Sequence, residues 1–127
     1  MTTTRLFLTA LLTGAALLNL SAPAQAQNQV ISGEQLKTMW VGKKVFARSA
    51  KGGLIDLYLK ADGTSQVAVG KMVDSGTWSP TESGYCAKWK RIRAGEEQCF
   101  KVVSRDGKVL VLDLDGSLST EVLQVVD

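Results

Sequence analysis

Apolar and polar positions alternate in short runs over most of this chain. The runs are rich in Val, Leu, Tyr and Phe, and turn signals containing Gly separate them. Short strands at this regular spacing are typical of an antiparallel barrel or sandwich. We therefore predict an all-β fold, an antiparallel meander of seven or eight short strands that forms a small barrel or sandwich. The predicted strand runs are residues 43–49, 54–60, 64–69, 85–91, 99–104, 108–114 and 117–125.

The turn signals between these runs favour hairpins. An Asp-Gly pair between alternating segments is the strongest local hairpin signal. No strand–helix–strand alternation is present, so we do not expect a parallel sheet. The predicted turns include Asp62-Gly63, Asp74-Ser75-Gly76, Glu82-Ser83-Gly84, Asp106-Gly107 and Asp115-Gly116.

One short helix is predicted before the first long strand. Ser32 is followed three positions later by Gln35, which is the pattern of a capping box. The apolar residues that follow fall at helical spacing: Leu36, Met39 and Trp40. We predict a helix over residues 33–40 whose apolar side covers one end of the sheet.

The first 26 residues have the pattern of a secretory signal peptide. Arg5 precedes an uncharged apolar run over residues 6–20, and Ala24-Gln25-Ala26 suits signal peptidase. The apolar run is shorter than the roughly 20 residues that a spanning helix needs. We predict a signal peptide over residues 1–26 and a single periplasmic or secreted β domain over 27–127, with no transmembrane segment in the mature chain.

The composition excludes some kinds of catalytic and metal site but does not identify a binding partner. The chain has 15 basic and 12 acidic residues and no histidine. A net charge of +3 is too small to indicate a class of partner. The lack of histidine excludes Ser-His-Asp and Cys-His catalysis as well as histidine-ligated metals. We therefore predict no catalytic residues, no metal and no cofactor.

Two cysteines, Cys86 and Cys99, lie near the starts of two successive predicted strands. In an exported protein the simplest interpretation is one disulfide that ties the hairpin together. Such a bridge stabilises by about 3 kcal/mol in the chain-entropy model. The spacing is far wider than the Cys-x-x-Cys of redox enzymes. Free thiols and intermolecular pairing are the remaining alternatives.

A dense basic cluster surrounds Trp89. Its cationic members are Lys88, Lys90, Arg91 and Arg93. Strand alternation puts Lys88 and Lys90 on one face. The cluster is a candidate patch for an anionic partner, such as a lipid headgroup, lipopolysaccharide or an acidic glycan. The alternative is a solvated hairpin face, partly neutralised by Glu96 and Glu97. Nucleic acid is not expected, because the charge is local and the chain is predicted to be exported.

Three tryptophans are a large aromatic content for a small domain: Trp40, Trp78 and Trp89. Buried aromatic rings dominate core energetics, so we expect Trp78 and Trp89 to pack in the core. The alternative is that the rings line a small apolar pocket inside a barrel. Since the predicted strands are short, we expect a filled interior.

Three acidic residues could be assembled into a carboxylate site: Asp56, Asp62 and Asp74. Asp62 and Asp74 stand in turn contexts, where Asp commonly bonds its own backbone. Asp56 falls on the expected outer face of a strand. We therefore expect structural roles for all three.

Several motifs occur in a recognisable order: Gly76-Thr77-Trp78, Tyr85-Cys86-x-x-Trp89 and Cys99-Phe100-x-Val102. Over about residues 33–116 the chain resembles small exported proteins of alphaproteobacteria that are grouped in families of unknown function. The resemblance implies a lipocalin-like or sandwich-like β domain with the Cys86–Cys99 disulfide, and it implies no activity. True lipocalins carry Gly-x-Trp on their first strand, whereas here it lies in mid-chain, so no lipocalin ligand residue is carried over.

These observations favour a non-enzymatic binding or accessory module. Its partner is expected to be an envelope protein, an anionic envelope surface or a small apolar molecule. One alternative is an inhibitor or stress-accessory protein of the cell envelope that acts through the basic hairpin. A second alternative is a carrier of a small apolar ligand.

Overall fold

The computed structural model describes residues 28–127, with Gly14 alone ahead of them. The signal peptide predicted over residues 1–26 therefore lies outside the described part, apart from that glycine. One helix, α1, spans Gly33–Met39, and a short 3-10 turn spans Ile92–Gly95. The strands are β1 Gln29–Val30, β2 Lys44–Ser49, β3 Leu54–Leu59, β4 Thr64–Val69, β5 Met72–Pro80, β6 Gly84–Trp89, β7 Gln98–Arg105, β8 Lys108–Asp113 and β9 Leu118–Val126.

Strands β2 to β9 form a closed antiparallel barrel in which each strand pairs with its sequence neighbour. The barrel closes because β2 also pairs with β9, from Lys44 opposite Val126 to Ser49 opposite Thr120. The all-β prediction is confirmed, and closure decides for a barrel over a sandwich. The short β1 is an additional strand that pairs with β7.

Strand β5 corrects the predicted turn at Asp74-Ser75-Gly76. The strand runs unbroken through these residues, and the reversal lies earlier, at Gly70 with a φ of 60° and Lys71. Gly76 serves close approach rather than a turn. A Cβ there would clash with the backbone oxygen of Lys88 on β6.

The helix closes one end of the barrel, as the sequence predicts. The capping box is present, with Gln35 N–H donating to Ser32 Oγ at 3.2 Å and Ser32 N–H to Gln35 Oε1 at 2.9 Å. Leu36 and Trp40 have no exposed surface. Full burial of such side chains stabilises by about 1.5–3 kcal/mol each. The Trp40 indole N–H has no hydrogen-bond partner among the described residues, so apolar packing alone holds this side chain in place.

The two ends of the barrel therefore differ. At the helix end, Gly33 N–H donates to the carbonyl of Thr81 at 2.7 Å, and Gly42 N–H to that of Leu59 at 2.9 Å. The opposite end, which we call the open end, carries the loops over residues 50–53, 70–71, 90–97 and 114–117. Any entrance to the interior that the helix leaves free lies at the open end.

Candidate functional site

A cavity of about 160 Å³ occupies the barrel interior towards the open end. Its deep wall is aromatic. The Tyr85 ring meets Trp40 edge-on at 6.0 Å between centroids and lies 5.3 Å from Phe100. Aromatic pairs at these separations are mutually stabilising. The expectation of a completely filled interior is therefore wrong for this half of the barrel.

The outer part of the cavity is formed by one row of cross-strand partners. Val122, Ala47, Ile55 and Val69 stand opposite one another in turn across β9, β2, β3 and β4. Ala47 is buried, whereas the other three are partly exposed although they point inward. Partial exposure of inward apolar side chains marks this row as the mouth.

Small side chains explain why the space exists. Alternation brings Ala47 and Ala87 to inward positions on two distant strands, and both line the cavity. Elsewhere in the barrel the inward positions hold Leu59, Trp78 and Val102, which fill the interior. A cavity remains where two inward residues carry only a methyl group.

Polar groups are few in this cavity. Gln98, Ser119 and Thr120 line it alongside the apolar majority. The amide of Gln98 donates to Asp113 Oδ1 at 3.4 Å. Burial raises the pKa of the Tyr85 hydroxyl above its usual range, so Tyr85 stays neutral at any physiological pH. The cavity therefore suits an uncharged ligand.

Asp74 organises the loop beside the mouth. It is 5% exposed, and its carboxylate accepts the backbone N–H groups of Ser75 at 2.8 Å and of Arg91 and Ile92 at 2.9 Å. The Ile92 N–H is the largest of the influences that hold the pKa of Asp74 below its usual range. The hydrogen bonds to Arg91 and Ile92 stabilise a turn in which two non-glycine residues have positive φ, Arg93 at 55° and Ala94 at 53°.

The expectation that Asp74 lies in a turn is wrong, because the residue lies within strand β5. Its carboxylate bonds a loop 17 residues away along the chain. The alternation of β5 with the apolar inward positions of β4 is the signal that could have placed Asp74 on the inner face, because it stands opposite Val67. Asp62 does lie in a turn and accepts Thr64 N–H at 2.9 Å, and Asp56 is exposed as expected.

The three tryptophans divide between core and cavity. Trp78 is 8% exposed, and its indole donates to the Lys60 carbonyl at 2.8 Å. Trp40 lines the cavity floor, and Trp89 is half-buried at the mouth. Two of the three candidate aromatics therefore line the pocket. Sequence reasoning did not single out Tyr85 or Phe100 for it.

The predicted basic patch is split between two surfaces. Lys88 and Lys90 share one outer face, as predicted, and line an open groove of about 690 Å³ with Lys60. Arg91 and Arg93 are exposed at the open end, where the Arg91 guanidinium donates to the carbonyl of Val73. Within residues 28–127 no salt bridge joins the patch to Glu96 or Glu97.

Cys86 and Cys99 stand directly opposite each other on β6 and β7, with their sulfur atoms 1.97 Å apart. This is disulfide bonding distance, as the sequence predicts. A carboxylate oxygen of Glu97 lies near both sulfurs. Sulfurs bonded to each other are not thiolates, so the three residues do not make a metal site.

Within residues 28–127, no helix has the length and apolar character needed to cross a bilayer.

No protein family, curated protein or solved structure matches this chain. The resemblance to exported alphaproteobacterial proteins therefore stays a prediction.

Proposed function

We propose that this protein is a non-enzymatic, exported binding module that holds a small apolar molecule in the open end of its barrel. The observation that supports the proposal most directly is that the two ends of the barrel differ. The helix closes one end, and an apolar cavity of about 160 Å³ lies towards the other. Barrel mouths are common places for small-molecule sites.

The volume limits the size of the ligand. Pockets for drug-sized molecules usually measure about 300–1,000 Å³. An apolar protein cavity of about 150 Å³ holds a molecule such as benzene. We therefore assign the site to a single-ring or similarly compact apolar molecule rather than to a large cofactor. The aromatic wall of Trp40, Tyr85 and Phe100 favours an aromatic ring.

Export is supported by the pattern of residues 1–26 and by the two cysteines at bonding distance. The lack of histidine in the chain supports a role in binding rather than catalysis. The sparse polar lining of the cavity supports the same role, because it offers few groups to activate a substrate.

Toluene titration of the processed full chain tests the proposal. A phenyl-sized group buries about 200 Å², which at 25 cal/mol per Å² corresponds to about 5 kcal/mol. The loss of translational and rotational freedom on binding offsets part of this gain, so we expect a Kd in the millimolar range. We expect saturable NMR shift changes at Ile55, Val69 and Val122. No saturable binding in the millimolar range contradicts the proposal.

A matched pair of variants locates the ligand. Ala47→Leu fills the cavity, whereas Ala68→Leu makes the same change on the outer face of β4, between Asp56 and Val73. We expect at least a tenfold loss of toluene affinity for Ala47→Leu and no change for Ala68→Leu. Should Ala47→Leu fail to fold, Val122→Phe blocks the partly exposed mouth instead. Equal affinities in the cavity variant and the control refute the assignment.

A further inference from the structure

The rim of the open end exposes an unusual amount of apolar surface. Five of the nine large apolar residues that the described structure exposes lie there, although this rim is a small part of the chain. They belong to three of the four loops or to the adjoining strand ends. They are Leu54 (60% exposed), Met72 (41%), Val73 (62%), Leu114 (59%) and Leu118 (43%).

Basic residues accompany part of this apolar rim. The loops over residues 50–53, 70–71 and the first half of 90–97 follow one another around the open end. Besides Lys90, which lines the outer groove, they carry Lys51, Lys71, Arg91 and Arg93, all exposed and none in a salt bridge with a described residue. We call these four residues with Leu54, Met72 and Val73 the basic apolar rim.

Acidic residues occupy the rest of the open end. Glu96 and Glu97 lie on the later half of the third loop, and Asp115 lies on the fourth. The Asp115 carboxylate is engaged by Ser117 N–H at 2.8 Å. Asp74, the acidic residue nearest to Val73 in the chain, is buried against backbone N–H groups. The basic apolar rim therefore faces solvent with a local positive charge.

The local geometry joins two of the basic loops into one surface. Gly70 and Lys71 make a tight reversal in which Val69 pairs with Met72, so Lys71, Met72 and Val73 stand at the tip of the hairpin. The Arg91 side chain bonds the backbone carbonyl of Val73. A hairpin tip with adjacent apolar and cationic side chains is thus tied to the neighbouring cationic loop.

We propose that the basic apolar rim docks the open end of the barrel onto an anionic lipid bilayer. Exposed large apolar side chains bordered by polar residues mark a candidate interaction site. Their combination with cations matches the acyl boundary and the negative headgroups of such a surface. Leu54, Met72 and Val73 enter the headgroup region, and the four cations lie against lipid phosphates. The proposal does not depend on a ligand in the cavity.

Vesicle flotation tests the docking directly. The probes are vesicles of equal parts phosphatidylglycerol and phosphatidylcholine, with pure phosphatidylcholine for comparison. A Lys or Arg near an anionic surface strengthens binding about fivefold. We therefore expect at least tenfold tighter binding to the anionic vesicles, and this preference should weaken at high salt.

Two double variants separate the contribution of the charged residues to vesicle binding from that of the apolar residues. Lys51→Glu with Lys71→Glu reverses charge on the rim, and Met72→Ser with Val73→Ser removes the apolar tip. Their controls make the same changes elsewhere, Lys44→Glu with Lys101→Glu and Leu123→Ser with Val125→Ser, at exposed positions away from the open end. We expect each rim pair to weaken binding at least tenfold and each control pair less than twofold.

Three results overturn the proposal. The first is no binding to the anionic vesicles at low salt. The second is an equal loss for rim and control pairs in proteins whose circular dichroism is unchanged. The third is a loss on charge reversal with full binding retained after removal of the apolar tip, which would indicate an anionic partner other than a bilayer. The toluene titration is a separate readout, so failure of either proposal is distinguishable from failure of the other.

Discussion

Removing the Cys86–Cys99 link tests whether it only stabilises the barrel. The two residues are 13 positions apart and join β6 to β7 on the outer face, away from the cavity. In the chain-entropy model, a loop of this length restricts the unfolded chain enough to stabilise the fold by about 3 kcal/mol. In a domain of about 100 residues this corresponds to a Tm difference of roughly 12–24 °C.

The variant is Cys86→Ala with Cys99→Ala, measured by thermal unfolding followed by circular dichroism. Alanine is chosen because Cys86 is buried, and a serine hydroxyl there would need a hydrogen-bond partner. Wild-type protein kept fully reduced is the control and should melt close to the variant. Below both transitions, toluene affinity should equal that of the oxidised wild type, because the pair does not line the cavity.

Two results would refute this reasoning. A Tm loss below about 4 °C corresponds to less than 1 kcal/mol and would show that the link does not restrict the unfolded chain as calculated. A folded variant that no longer binds toluene would show that the link shapes the mouth. The second result would also turn the search for a role of the cysteines from stability to function.

Two further predictions concern strand β5. Gly76→Ala should lower the free energy of unfolding, measured by chemical denaturation, by about 3 kcal/mol or more, because the new Cβ meets backbone atoms and not a movable side chain. Gly53→Ala is the control: Gly53 is exposed and has no positive φ, so the free energy of unfolding should change by less than about 0.5 kcal/mol. Asp74→Asn should lower the Tm at neutral pH. Because the folded pKa of Asp74 is lowered, its stabilisation is present above the unfolded value near 3.8 and is lost as the pH falls through the folded value. The Tm difference between wild type and variant should therefore narrow in acid, and a constant difference from pH 7 to pH 2 would contradict the assignment.

Local signals in the sequence were enough to predict most elements of the barrel. The Asp-Gly turns, the alternating runs and the capping box at Ser32 are short-range features, and the structure places strands and helix α1 where they indicate. The local pattern does not predict the full strand β5, because Asp74-Ser75-Gly76 has the composition of a turn. In the fold, Asp74 bonds a distant loop and Gly76 accommodates a neighbouring strand. Both features are contacts between residues that are distant in sequence, so no local sequence pattern predicts them.

Closure of the barrel and the position of the cavity depend on contacts far apart in sequence. Pairing of β2 with β9 brings Lys44 opposite Val126, and no local rule predicts this register. The cavity depends on Ala47 and Ala87 facing the same interior from different strands. A small residue in one strand predicts nothing until the residues that face it are known. The tryptophans could be named in advance, but their division between core and mouth could not.

Helix α1 covers one end of the barrel and so makes the two ends different. A barrel without the helix would expose its interior at both ends, whereas here Leu36 and Trp40 are fully buried at one end. The cavity, five of the nine large exposed apolar side chains of the described structure and the four cations of the basic apolar rim then share the other end, where Asp74 also stabilises the loop over residues 90–97. An apolar molecule is concentrated in lipid rather than in water. On the two proposals together, docking by the basic apolar rim would place the mouth against the phase richest in apolar molecules, and such a molecule would reach the cavity without crossing bulk solvent.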